Sequence, residues 1–266
     1  MKNMIISALK ACLIGASMLV PGVSGGSMAM ILGIYDRLIS SVSSFFKNVK
    51  DNLVFLGVFC GGALIGMILF ARPILALIQR FPMPMLYFFM GTVLGSIPMI
   101  FKKAKVNKLS LDVLIYPLLG FILVMLLAKL PTGLIQTGDN YILTAMMLVV
   151  AGVVAAVALV LPGISVSYMF LLLGMYDTIL SAVSTLDFPF LVPLGIGLVL
   201  GIVATTRILE NCMTKAPKPT YLIILGFLFG SVYEIFPGIP EGMTLLISLI
   251  LLCVSSFLIY KISNME

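Results

Sequence analysis

The sequence predicts an all-α integral membrane protein, an inverted-repeat helical bundle, and three observations predict it. Apolar residues fill 61% of the 266 positions and charged residues 10%, against roughly 45–50% and about 25% in soluble domains. The apolar runs are long and do not alternate, which in lipid points to helices, whose backbone groups pair internally. A Pro-Gly-Ser interruption inside apolar sequence also occurs twice, at Pro21-Gly22-Val23-Ser24-Gly25-Gly26-Ser27 and at Pro162-Gly163-Ile164-Ser165-Val166-Ser167.

The two copies lie 141 positions apart. Between Pro21–Ser43 and Pro162–Ser184 the identities are Pro21/Pro162, Gly22/Gly163, Ser24/Ser165, Met28/Met169, Leu32/Leu173, Gly33/Gly174, Tyr35/Tyr176, Asp36/Asp177, Ser40/Ser181, Val42/Val183 and Ser43/Ser184, eleven of 23. Paired, Gly/Pro-interrupted hydrophobic segments in two halves point to a transporter binding site. The chain reads as one membrane domain, 1–266, with repeat halves 1–130 and 141–266.

In the first half, apolar Ala11–Val20 leads to the break, and a second apolar run, Met28–Tyr35, ends at Asp36-Arg37. Each run makes roughly 15 Å of helix, half a hydrocarbon core. A re-entrant hairpin that enters and leaves on one side is therefore expected. Three spans follow, Leu53–Ala71, Met85–Phe101 and Val113–Ala128, with a turn region at Arg80–Met85 and a basic loop of Lys102, Lys103, Lys105 and Lys108. Pro131–Asn140 is the polar linker between halves. The second half repeats the plan: hairpin Tyr141–Ser184, then spans Phe190–Thr206, Tyr221–Ile235 and Met243–Tyr260. Gly62, Gly66, Gly91 and Gly95 recur 135 positions later as Gly197, Gly201, Gly226 and Gly230, a small-xxx-small pattern that brings helices close. The uncharged stretch Tyr141–Leu161 is long enough to be a full span instead of a hairpin arm.

Three spans per half is an odd number, so the second half enters the membrane from the opposite side. Lys2, Lys47, Lys50, the basic loop, Arg207, Lys215, Lys218 and Lys261 then share one side, which the positive-inside rule makes cytoplasmic, with both termini; Arg72 and Arg80 are the exceptions, Arg72 as inversion of its repeat partner Arg207 requires. The net charge of +6 thus speaks to orientation and not to nucleic acid. Met1–Val20 has the look of a signal peptide, but the same pattern recurs at Tyr141–Pro162, so cleavage is not expected. The four cysteines are scattered without a C-x-x-C pair, and histidine is absent. No metal site, cofactor or catalytic residue is expected.

A helix that restarts inside a membrane offers unpaired N–H groups and the positive end of its dipole. Ser24, Ser27, Ser165 and Ser167 add hydroxyl donors, and Gly25 and Gly26 let a ligand approach the backbone, a setting for phosphate or carboxylate. Arg72 and its repeat partner Arg207 are candidates to complete the charge, or else anchors at span ends. Asp36 and Asp177 are candidates for proton coupling, or else mark where a short arm leaves the hydrocarbon.

At these residues the chain resembles the bacterial polyprenyl-phosphate transporters, a family formerly classed as a membrane domain of unknown function. The P-G-[VI]-S-G-G-S break followed by L-G-[IM]-Y-D carries the resemblance, which extends over nearly the whole chain. It implies a non-enzymatic flippase of the bacterial cytoplasmic membrane that recycles undecaprenyl phosphate. The lipid substrate and surrounding membrane lipids would be its partners. The second copy has Val166, Ser167 and Tyr168 where the first has Gly25, Gly26 and Ser27, which implies unequal sites. An undecaprenyl-pyrophosphate phosphatase has a similar layout, with Arg and Ser after its P-G-x-S and acidic residues on the preceding helix. Here Gly25-Gly26 follow, and Met4–Val20 holds no carboxylate. A carrier or channel for a small soluble anion is the third reading.

Overall fold

The computed structural model describes residues 2–19, 23–106, 108, 110–131 and 141–264. Pro21 and Gly22 of the first break, and nearly all of the linker, lie outside them. The first half contains α1 (Lys2–Ser17), α2 (Gly25–Ile31), α3 (Tyr35–Ser43), a 3-10 turn at Phe45–Lys47, α4 (Val49–Arg80), α5 (Pro82–Lys103) and α6 (Asp112–Leu127). The second contains α7 (Tyr141–Val160), α8 (Val166–Leu172), α9 (Tyr176–Thr185), α10 (Phe188–Lys215), α11 (Pro217–Ile235) and α12 (Gly242–Asn264). Among the described residues, five helices (α4, α5, α7, α10 and α12) are long and apolar enough to cross a membrane. The count is six if α8 and α9, bent by 113°, form one broken span. The protein is an all-helical, multi-pass membrane protein.

Several expected boundaries shift. The span expected to end at Arg72-Pro73 continues to Arg80, a helix of 32 residues with Pro73 inside it. Proline within a membrane helix is tolerated because local adjustments and neighbouring groups re-satisfy the freed carbonyl. Likewise the span expected over Phe190–Thr206 occupies all of Phe188–Lys215. The expected turn region at Arg80–Met85 shrinks to one residue, Phe81, because Pro82 starts α5 at a position where its missing N–H costs nothing. Ala216 and Pro217 repeat that joint, and the two linking residues have nearly the same backbone angles: φ −136°, ψ 62° at Phe81 and φ −135°, ψ 63° at Ala216.

The run expected as the second arm of each hairpin is not one helix but two short ones. Gly33 and Gly174 both stand at φ +73°, the left-handed region that suits glycine. Around each, the same pair of bonds closes the helix: Gly33 N–H to Met30 O and Ile34 N–H to Ala29 O, then Gly174 N–H to Leu171 O and Met175 N–H to Phe170 O. These are Schellman caps. The shared L-G-x-Y therefore encodes a stop and a restart.

Glycines set the pairing of the long helices. Gly62 rests on Ala8 and Ala11 and Gly66 on Cys12, so α1 and α4 run in the same direction. Gly197 on Val149 and Gly201 on Val153 do the same for α7 and α10. The remaining pairs exchange between halves. Gly91 and Gly95 of α5 lie against Leu252 and Ser256 of α12, and Gly226 and Gly230 of α11 against Pro117 and Val124 of α6, both parallel. At the middle, α5 and α11 cross antiparallel. The Tyr87 hydroxyl donates to Gly238 O (3.1 Å) at one end, and at the other the Lys103 ammonium sits 5.9 Å from the Tyr221 ring centroid. The main core gathers α2 and α3 against α5, α10 and α11, with Met30, Ile31, Tyr35, Ile100, Leu222 and Leu228 almost fully enclosed.

Candidate functional site: two helix breaks that meet

The first break ends at Ser24, in extended geometry (φ −86°, ψ 138°), whose hydroxyl accepts from Ser27 N–H at 3.4 Å. The second ends at Ser165 (φ −88°, ψ 125°), whose hydroxyl accepts from Tyr168 N–H at 3.3 Å. The matched serines are thus helix N-caps in both copies, with their own hydroxyl hydrogens left for another acceptor.

The breaks touch each other. Gly163 N–H donates to the Ser27 hydroxyl at 2.8 Å. A Cβ added to Gly26 would stand 3.4 Å from the Pro162 backbone. The Tyr35 hydroxyl donates to Val160 O at 2.7 Å, which satisfies a carbonyl left free at the end of α7. The two interruptions, from opposite halves of the chain, are therefore bonded together in the buried interior. Gly163 pays for that closeness with a φ of +83° and with its Cα packed on Phe227 O.

An apolar cavity of about 300 Å³ lies against this junction. Gly25 and Gly26 form part of its wall, with Met18, Phe59, Val160 and Ile202 around them, and Tyr35, Thr206 and Cys60 supply the little polarity it has. Its lining comes from α1, α2, α3, α4, α7 and α10.

The other candidate residues are placed differently. Ser167 is exposed. Arg72 is six residues beyond Gly66, which faces Cys12; at 1.5 Å per residue this is the level of Met18, beside the first break. Arg207 stands in the same relation to Gly201 and Val153. Both arginines are exposed, and neither has a hydrogen bond or ion pair among the described residues, so the fold brings them to the depth of the breaks without joining them to either. Asp36 forms an ion pair with Lys103, Nζ to Oδ2 at 2.6 Å, whereas Asp177 is exposed. Sequence reasoning did not single out Glu210, which accepts from the hydroxyls of Ser43 and Ser44. A carboxylate in the last third of an apolar helix was the available signal.

The fold and the joined breaks define a multi-pass membrane protein with a paired, interrupted-helix centre. Residues 14–244 match the model of the VCA0040-like, undecaprenyl phosphate translocase-like family, and the chain belongs to that family. It is 30% identical over 252 residues to a "Polyprenyl-phosphate transporter" of Staphylococcus aureus, covering 90% of this chain and 89% of that protein. It is also 30% identical to a protein of the same name from Vibrio cholerae, over 88% of this chain and 78% of the other. No solved structure matches.

Proposed function

We propose that the protein is a flippase for a polyprenyl phosphate, undecaprenyl phosphate in the bacterial cytoplasmic membrane, and not an enzyme. The observation that carries this reading is the apolar cavity walled by the Gly25-Gly26 backbone. A polyprenyl phosphate needs an apolar path for its tail that ends at hydrogen-bond donors for its head. The cavity supports the first requirement, and the N–H groups and serine hydroxyls of the joined breaks support the second. A small soluble anion has no use for such a wall. The helix directions support two inverted halves. Within each half the first helix runs parallel to the first long span, which fits a hairpin returning to its own side, and α5 opposes its counterpart α11. The basic loop and the lysines near both termini support a cytoplasmic position for both ends.

In sealed vesicles the purified protein should move a polyprenyl phosphate between leaflets and release no inorganic phosphate from polyprenyl pyrophosphate. Phosphate release above a protein-free control would replace this reading with a hydrolase.

Cys60 offers a second measurement, since it alone of the four cysteines borders the cavity. In a variant that keeps only Cys60, polyprenyl phosphate should slow maleimide modification severalfold, and inorganic phosphate should not. Equal protection by the free ion would favour a soluble-anion carrier.

A further inference from the structure

The two copies of L-G-x-Y-D share sequence but not surroundings. Tyr35 is 1% exposed and its partner Tyr176 38%; Ile39 is 3% exposed and its partner Leu180 59%. Ser43 is buried and donates to Glu210 as well as back to Ser40 O, while Ser184 is exposed and, among the described residues, bonds back to Ser181 O. The helices explain the contrast: α3 packs along α10, but α9 has no comparable seat on α4 and rests on α8 and the start of α10. Matching residues in one chain thus occupy two states at once.

We infer that this is one of two arrangements, and that in the other α9 docks on α4 while α3 leaves α10, turning the central breaks from one membrane face to the other. The docked pair supplies the template. Leu209, Glu210 and Met213, on which α3 sits, correspond by the 135-residue offset to Ile74, Leu75 and Ile78 of α4. Ile74 and Ile78 pack toward Phe89 and Ile235, whereas Leu75 is 46% exposed, an open apolar position where the half-buried Glu210 holds Ser43 and Ser44. Transporters with a substrate site between repeats open it alternately by moving one unit against the other, so the inference rests on the transporter reading. It also assigns a role to the polar contacts of α3. Lys103, which holds Asp36, corresponds to Gly238, and Glu210 corresponds to Leu75, so neither bond has an equivalent in the second half. They bias the chain toward the arrangement with α3 docked.

The test uses the full chain in native membranes, with its four cysteines replaced. Ser43→Cys with Glu210→Cys reports α3 on α10, and Ser184→Cys with Leu75→Cys reports α9 on α4. Both pairs should form disulfides under oxidant. The 43–210 crosslink should stop transport and reductant should restore it. Adding Lys103→Met should slow the first crosslink and speed the second severalfold, and Lys103→Arg should return both rates toward the parent. Failure of the 184–75 pair to crosslink where 43–210 does, identical rates with Lys103→Met, or full transport by the crosslinked 43–210 protein would each overturn the inference. The crosslink rates need no substrate. Reciprocal rates in a protein that moves no polyprenyl phosphate would therefore uphold the two arrangements and refute the substrate.

Discussion

Gly163→Ala should leave little folded protein in the membrane. The residue stands at φ +83°, which costs a side chain of the L series about 1–3 kcal/mol. Its new Cβ would also lie 2.3 Å from Phe227 O and 2.5 Å from Phe227 C. Those are backbone atoms in the middle of α11, so no rotamer change relieves them. Forcing a methyl group into a filled site adds roughly 1–3 kcal/mol. A combined loss on the order of 4 kcal/mol is a large share of the 5–15 kcal/mol that holds a typical domain. The displacement would also pull Gly163 N–H from Ser27, leaving a buried donor unpaired at about 1–3 kcal/mol. Gly195→Ala is the control, because nothing lies within 4 Å of a Cβ there. It should be neutral or slightly stabilising, since alanine favours helix over glycine by about 1 kcal/mol. Membrane abundance and thermal aggregation of detergent extracts measure both. Wild-type abundance of Gly163→Ala would mean that the second break is not packed against α11 as described.

Much of the fold was legible in the sequence because lipid leaves few options for the backbone. Long apolar runs become helices, and repeated glycines mark where helices approach closely, though not which partner each one meets. Gly66 and Gly201, spaced alike from their neighbours, led to the same parallel pairing in each half. What was not legible is instructive. Pro73 reads as a helix end because proline usually breaks helices in water, yet α4 continues through it. The L-G-x-Y motif reads as the tail of a single arm, whereas the glycine's positive φ makes it a cap between two helices. At the candidate site the repeat indicated that two breaks exist. That Ser27 of one bonds Gly163 of the other depends on how the halves interlock, and the second copy has Tyr168 in place of Ser27. The unequal environments of Asp36 and Asp177 were likewise beyond the sequence, since both follow the same L-G-x-Y and the distant Lys103 pairs with Asp36.

Ser24→Asp combined with Ser165→Asp should give protein that reaches the membrane but moves no polyprenyl phosphate. Both serines cap helices through their side-chain oxygens, and aspartate caps as well as serine. A negative charge at a helix start is also favoured by the dipole, by about 0.3–1 kcal/mol. These gains offset part of the cost of two carboxylates at half-buried positions, so transport is read per unit of protein that reaches the membrane. A phosphate monoester at the same place would meet two fixed negative charges, and its hydroxyl donors would be gone. Ser24→Ala tests the hydroxyl alone. It loses a hydrogen bond to a charged group worth roughly 1.5–3 kcal/mol, a fall in affinity of about tenfold to a hundredfold, together with a cap worth about 1 kcal/mol. Gly25→Ala probes space without charge. The nearest atoms to its Cβ would be the Met18 sulfur at 2.8 Å and Met18 Cγ and Cε at 3.3 Å, all in one flexible side chain, and at Gly26 the nearest atoms are at 3.4 Å. Alanine at either position should fold, and Gly25→Val should fill the cavity wall and block transport. If the breaks serve packing alone, the order reverses. The aspartate pair would transport normally, and Gly25→Val would lose activity only as far as it loses abundance. Transport and abundance measured in the same vesicles separate the two orders, and full transport by the Ser24→Asp, Ser165→Asp protein would remove phosphate from the breaks.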